Sequence, residues 1–274
     1  MLEIKNLSFF YDDKKVLKNL SFNIYNNNWV SIMGHNGSGK STLAKILVGL
    51  LEPYEGNILI DGLKLNYNNL PFLRNKIGMV FQNPDYQFIG HTVKDDIAFG
   101  LENQNLSRDE IIKRVYEYSE MVGMINFLNK SPQELSGGQK QKVTIASVLA
   151  MQPEIIIFDE VTAFLDDKSK KEIENIIKTI KDKIIITITH DLDFASKSDE
   201  IIVLSQGQLV KKAKPEIILD NQFFLNQYSL EPTLALKIYY EIQKDIIIYK
   251  DKKIKDIKML KKMKEILWLY NLKK

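Results

Sequence analysis

The sequence predicts an α/β fold built on a parallel sheet with both faces covered. Three observations carry this expectation. EIIIFDE (154–160) and KIIITITHD (183–191) are short apolar strands ending in titratable residues, the pattern of strands buried on both faces. WVSIM (29–33) runs straight into a glycine-rich turn. TLAKILVGLL (42–51), with the apolar density of a buried helix, follows directly after that turn.

The other elements follow along the chain. Residues 2–32 alternate in strand fashion, as LEIKNLSFFY, VLKNLSFNIY and then WVSIM. GNILIDG (56–62) is a further short strand closed by a turn. From about Pro84 to Ala150 the chain reads as helical and polar, with SRDEIIKRVYEYSEMVGM (107–124) its clearest amphipathic segment. EIIVLSQGQLV (200–210) reads as a hairpin-like pair. After about Pro215 the character changes: EPTLALKIYYEIQ (231–243) starts with a proline near a helix N-terminus. KMLKKMKEILWLYNLKK (258–274) is amphipathic, with Leu260, Met263, Leu267 and Tyr270 on one face and Lys258, Lys261 and Lys262 opposite. No internal repeat or low-complexity linker is visible.

With 274 residues, 45% hydrophobic and 27% charged, the chain can bury a sizeable core and holds one large or two modest domains. It has no cysteine, which excludes disulfides and thiolate chemistry and points to an intracellular home. MLEIKNLSFFY lacks a basic region followed by a long apolar run, so no secretory signal is expected. Apolar stretches such as IIIF fall far short of the ~20 residues that cross a bilayer; any work at a membrane is done from outside the lipid. The net charge of +3 is uneven, because Asp245 to Lys274 holds ten lysines against four acids, a local +6, leaving about −3 on residues 1–244. The body is therefore not a basic nucleic-acid binder.

GHNGSGKS (34–41), set between strand and helix, is a phosphate loop; by chance the pattern arises in about one chain of this length in a hundred. Gly37 and Gly39 let backbone N–H groups wrap phosphates without Cβ obstruction. Lys40 is placed to reach the β- and γ-phosphates, and the Ser41 hydroxyl to ligate Mg²⁺. The nucleotide-binding segment is thus Gly34, His35, Asn36, Gly37, Ser38, Gly39, Lys40, Ser41 and Thr42, with His35 a variable position inside it. Asp159 ends a buried strand and can hold Mg²⁺, usually through water, and Glu160 is the candidate to polarise the attacking water. Alone, these acids would read as a strand cap; the loop upstream makes them a metal-and-base pair. His190 ends the next strand, where parallel strands deliver side chains to a ligand crevice. His91, in a turn-like segment, is assigned no chemistry. Gln82, in MVFQNPD, also follows a short strand, and its amide could meet both metal and water; alone it would be a surface glutamine. Tyr11 could stack on an adenine ring, worth about 1–3 kcal/mol, or be an ordinary edge-strand tyrosine.

LSGGQKQ (135–141) places two glycines before a helical run. Ser136, Gly137, Gly138 and Gln139 would form a second anion-binding helix start, yet the phosphate loop already surrounds the nucleotide. The economical reading is that this half-site serves the nucleotide of another subunit. Two chains would sandwich two ATP molecules head to tail, and hydrolysis would release them.

GHNGSGKST, Gln82, LSGGQ, IIIFDE and His190, in this order over residues 1–215, resemble the ATP-binding cassette superfamily. The resemblance implies a P-loop nucleotide-binding domain: a RecA-like core, an N-terminal antiparallel β subdomain and an α-helical subdomain at about 84–150. A small α+β extension at 216–274 would then stabilise a dimer. ATP and Mg²⁺ are the implied ligands. Gln82 would be the loop linking metal to partner, Glu160 the catalytic base, His190 the γ-phosphate contact, and VTAFLD (161–166) the loop crossing the dimer interface. VFQNPDYQFIGHTVKDDIAFGLEN (80–103), LSGGQKQKV and the EPTLAL turn are similar to ATPases of energy-coupling factor transporters, and NPDYQF to the first of their two usual paralogues. Such ATPases drive a membrane T subunit and a substrate-binding S subunit to import vitamins or transition-metal ions. The implied partners are a second ABC ATPase, paralogous or identical, and the T and S subunits, with no nucleic acid. The implied place is the cytoplasmic face of the cell membrane, as a peripheral subunit.

Two departures stand out. Ala163 replaces a frequent serine, removing a hydroxyl from the cross-dimer contact. Lys142 replaces a frequent arginine and cannot make the same planar bidentate contact. Neither touches Glu160, so an active ATPase with altered coupling between sites is expected. The alternative, a soluble cassette ATPase acting on nucleic acid or ribosomes, would carry a long coiled-coil insertion or a second cassette; fewer than a hundred residues separate Ser41 from Leu135 here. A phosphate-loop kinase would leave LSGGQ without purpose. The basic tail either packs its apolar face on the cassette or the second ATPase, the favoured reading, or meets anionic headgroups at about 1 kcal/mol per lysine.

Overall fold

The computed structural model describes residues 1–249, with side chains through residue 242. The amphipathic segment with Leu260, Met263, Leu267 and Tyr270 lies outside the described residues. The chain opens with β1 (Leu2–Tyr11), β2 (Lys14–Ile24), β3 (Trp29–Met33) and α1 (Lys40–Leu47). β4 (Glu55–Ile60), β5 (Leu63–Lys64), α2 (Leu70–Arg74) and β6 (Ile77–Val80) come next. A helical region holds α3 (Val93–Glu102), α4 (Arg108–Met121) and α5 (Gly137–Ala150). β7 (Ile155–Asp159), α6 (Asp167–Thr179), β8 (Ile184–Ile188), α7 (Leu192–Ala195), β9 (Glu200–Ser205) and β10 (Gln208–Ala213) follow. The described chain ends with α8 (Pro215–Leu219), α9 (Gln222–Gln227) and α10 (Leu234–Tyr249).

Two sheets result. The first has order β2-β1-β4-β5 and is antiparallel throughout. The second has order β10-β9-β3-β8-β7-β6; its strands run parallel except for β10, which forms the expected hairpin with β9. The apolar runs behave as fully buried strands should. Ile155 and Ile157 point into a core shared with α1 and the antiparallel sheet. Ile156 and Phe158 point the other way, onto α3, α5 and α6. Each strand residue alternates between two cores, so no face is left for polar side chains. The helical region begins its helices with side-chain caps: Thr92 and Asp95 form a capping box on α3, Ser107 caps α4, and Ser136 and Gln139 form a capping box on α5.

The extension differs in part from expectation. Among the described residues after β10 there are helices and no strand, so its expected β component is not seen there. Local signals favour helix: Pro215 sits in the first turn of α8, and the Thr233 hydroxyl accepts from Leu236 N–H at the start of α10. Leu236, Tyr239 and Tyr240 recur at helical spacing and are buried. Tyr239 donates to Asp220 Oδ1 at 2.8 Å, and Tyr240 donates to Leu219 O. These helices bury Ile218, Leu225 and Leu236 against Met33, Ile201 and Val203. The extension shares its core with the sheet.

Candidate nucleotide-binding site

The C-terminal ends of β3, β7 and β8 deliver the candidate residues to one place, as strand polarity requires. From β3 the chain enters the phosphate loop, where Gly37 has φ 80° and open space on its Cβ side, a conformation that only glycine adopts freely. The loop is closed by Ser38 N–H donating to His35 O at 3.1 Å. It is braced from behind by the β9–β10 turn: Gly207 N–H donates to Ser38 O at 3.1 Å, and Ser205 Oγ lies 3.4 Å from His35 Nε2. Lys40, 6% exposed, donates from Nζ to Gly34 O at 2.7 Å and to His35 O at 3.1 Å. Burial holds its ammonium below the usual lysine range, while Glu160 and Asp159 pull the other way.

β7 ends in Asp159, whose buried Oδ1 has no hydrogen-bond partner among the described residues. Its carboxyl is raised by burial, with Lys40 and Lys45 opposing. Glu160 follows at φ 50°, its N–H still bonded to Ile188 O at 2.9 Å. Burial, against the opposing charge of Lys40, pushes its carboxyl up to about 7. His190, just beyond β8, sets Nε2 3.1 Å from Glu160 Oε1. Its imidazole is held below its ordinary value by burial and then by Lys40, so it is chiefly neutral near pH 7. The orphaned buried carboxylate oxygen of Asp159 and the hydroxyl of Ser41 are oxygen ligands of the kind that suits Mg²⁺, with phosphates left to complete the shell.

Lys40, Glu160 and His190 line a cleft of about 570 Å³, and Asp159 is not among its lining residues. Asn36, Gly37, Gly39, Lys40, Ser41 and Thr42 form one wall, and Gln82, Glu160 and His190 face it. Gly34, His35 and Ser38 lie behind this wall, within the loop's own hydrogen bonds. Tyr11 is not among the lining residues; its ring packs edge-on against Phe9 at 4.9 Å, and Val16 of β2 lines the cleft instead. Ser136, Gly137, Gly138 and Gln139 start α5 away from this cleft. Gly137 there lines a second cleft of about 490 Å³ with Asn83 and Lys140. Gln82, Ala163 and Phe164 line both clefts. Sequence reasoning missed Val16, Lys170, Asp191 and Thr189 as lining residues. Phe164, within the VTAFLD loop expected at the dimer interface, is an aromatic 92% exposed at φ 63°. Lys142 pairs with Glu172 of α6.

Comparison with known proteins agrees with this arrangement. The ABC transporter family model matches residues 17–163. The chain is 60% identical, over 274 residues and the whole of both chains, to the energy-coupling factor transporter ATP-binding protein EcfA of Onion yellows phytoplasma (strain OY-M). The chain belongs to the ABC transporter family. As a member it is an ATP-binding subunit whose ATPase activity is coupled to transport. Among solved structures it is similar to cbiO1 from Clostridium perfringens, part of the ABC transporter complex cbiONQ, at 33% identity and TM-score 0.76, covering 86% of this chain and 97% of that one. It is also similar to a dimeric post-hydrolysis state of the ATP-binding cassette MJ0796 bound to ADP and Pi. There the identity is 34% and the TM-score 0.71, over 78% of this chain and 99% of that one. Among the described residues no helix is long and apolar enough to cross a membrane.

Proposed function

We propose that this ABC ATPase is the motor subunit of an energy-coupling factor importer, the first of two paralogous ATPases, powering uptake of a vitamin or transition-metal ion. The carrying observation is the joint placement of Lys40, Ser41, Gln82, Glu160 and His190 around one cleft. Lys40 and the loop amides bind the β- and γ-phosphates, and Thr42 completes that wall. Ser41, Asp159 and Gln82 would hold Mg²⁺, which would supply positive charge against the phosphates. Glu160 accepts a proton from the attacking water, and the neutral His190 imidazole donates towards the γ-phosphate. Tyr11 contributes at most a contact with the adenine edge.

Ser136, Gly137, Gly138 and Gln139 address the nucleotide of a second ATPase, in keeping with Gly137 lining a different cleft. ATP closes the pair, and closure pulls on a membrane T subunit through the helical region around Gln82–Glu102, with an S subunit supplying the substrate. Residues 1–215 form the cassette, with the helical subdomain at about 84–150, and residues 216–274 stabilise the dimer. The subunit sits peripherally on the cytoplasmic face of the membrane and uses no nucleic acid.

The test is the mass of purified Glu160→Gln protein with and without ATP–Mg²⁺, alone and co-expressed with a paralogous ATPase. An ATP-dependent dimer, with the paralogue or with itself, is expected. No dimer in either setting would remove the shared-site reading of LSGGQ.

A further inference from the structure

The six-stranded sheet ends at β6, and Gln82 follows two residues after that strand. An edge strand leaves backbone donors and acceptors without a ladder partner. Here a side chain substitutes for the missing neighbour. The Gln87 amide donates from Nε2 to Met79 O and accepts at Oε1 from Phe81 N–H, both at 3.2 Å. A primary amide carries a donor and an acceptor side by side, which suits two backbone groups two residues apart. The Phe81 carbonyl is taken from elsewhere: Gln141 Nε2 of α5 donates to it at 3.2 Å. That carbonyl shares a rigid peptide plane with Gln82 N–H, so its orientation sets the direction in which Gln82 leaves the sheet.

Gln141 is 1% exposed. Packing alone would be served by a methionine of similar length, whereas a buried amide is costly unless its hydrogen bonds are made. The residue just before it binds the same region, and the one before that fixes the helix start. Lys140 Nζ lies 2.6 Å from Asp85 Oδ1, and Gln139 closes the capping box at the start of α5. Two successive residues, Lys140 and Gln141, therefore join the LSGGQ helix start to the segment carrying Gln82.

We infer that Gln141 is a positioning residue for Gln82, clamping the Phe81–Gln82 peptide so that Gln82 moves with the first turn of α5. A displacement of the helix start at one nucleotide is thereby passed to the side chain facing the other. This rests on the reading of Gln82 given above.

The experiment compares Gln82→Ala, Gln141→Met and the double variant in the assembled transporter, by ATPase kinetics and by hydrogen exchange. Gln141→Met is expected to lower kcat about tenfold with the ATP KM held within about twofold. Exchange should rise over residues 79–87 while β7 and β8 stay protected, and the double variant should be no slower than Gln82→Ala alone. Multiplicative losses in the double variant would overturn the inference, because Gln141 would then act apart from Gln82. A uniform loss of protection reaching β7 and β8 would also overturn it, reducing Gln141 to a core-packing residue. Failure of the underlying reading shows separately, as unchanged turnover in Gln82→Ala, and takes the inference with it. A loss in Gln82→Ala beside full turnover in Gln141→Met would overturn the inference alone.

Discussion

Glu160 combines a left-handed backbone, at φ 50°, with a side chain 14% exposed and a carboxyl pushed up to about 7. A base must be deprotonated to act, so kcat/KM for ATP should climb with pH and level off above about 7. Steady-state rates between pH 5.5 and 8.5 would check this, and a flat profile would count against Glu160. The same shift has a stability consequence of definite sign. Between the ordinary value of 4.5 and about 7, the folded chain keeps a proton that the unfolded chain has lost, so stability falls as pH rises through that window. Glu160→Gln should then stabilise the nucleotide-free protein at pH 8, on the order of 1–3 kcal/mol, and do nothing below pH 4.5. Thermal melts at the two pH values measure it. In the same variant turnover should fall about 100-fold or more while ATP binding persists. Lys40→Ala should instead abolish ATP binding, read by equilibrium titration. Motif spacing in the sequence made both residues legible as candidates. The left-handed turn at Glu160 was not, because nothing in IIIFDEVT requires it.

At the scale of elements, the β9–β10 turn earns a prediction because it braces the phosphate loop from far along the chain. Gly207 has φ 77°, and a Cβ there would lie 2.0 Å from Val16 O. Gly207→Ala should cost about 2–4 kcal/mol of stability and weaken ATP binding through Ser38 and His35. Calorimetric melting and an ATP titration below the melting range would separate the two effects; unchanged affinity would free the loop from the turn. The strands were legible because a run such as IIIF must be buried on both faces. The LSGGQ helix start was legible because serine and glutamine three apart form a capping box. The ties among Gln87, Phe81 and Gln141 were not: single amides join residues six and sixty apart in sequence, leaving no periodicity or spacing to read.

For the whole molecule, the joint lining of two clefts by Gln82, Ala163 and Phe164 matters most. Phe164 gains nothing from burial in the single chain, being 92% exposed, so its apolar surface has value only against a partner. Phe164→Asp should leave the melting of the isolated chain within about 0.5 kcal/mol of the parent. It should also abolish the ATP-dependent dimer of Glu160→Gln, as read by mass. A retained dimer would place the interface elsewhere. Strand polarity, finally, gives the molecule two poles. Every candidate catalytic group lies at or just beyond the C-terminal ends of β3, β6, β7 and β8, whereas the turns that enter β3 and β8, with the exposed Asn27 and Asp182, lie at the opposite end. Because the sequence contains no cysteine, a cysteine introduced at Asp182 would be its single thiol. A dye attached there would report the motor's opening and closing from the pole farthest from ATP.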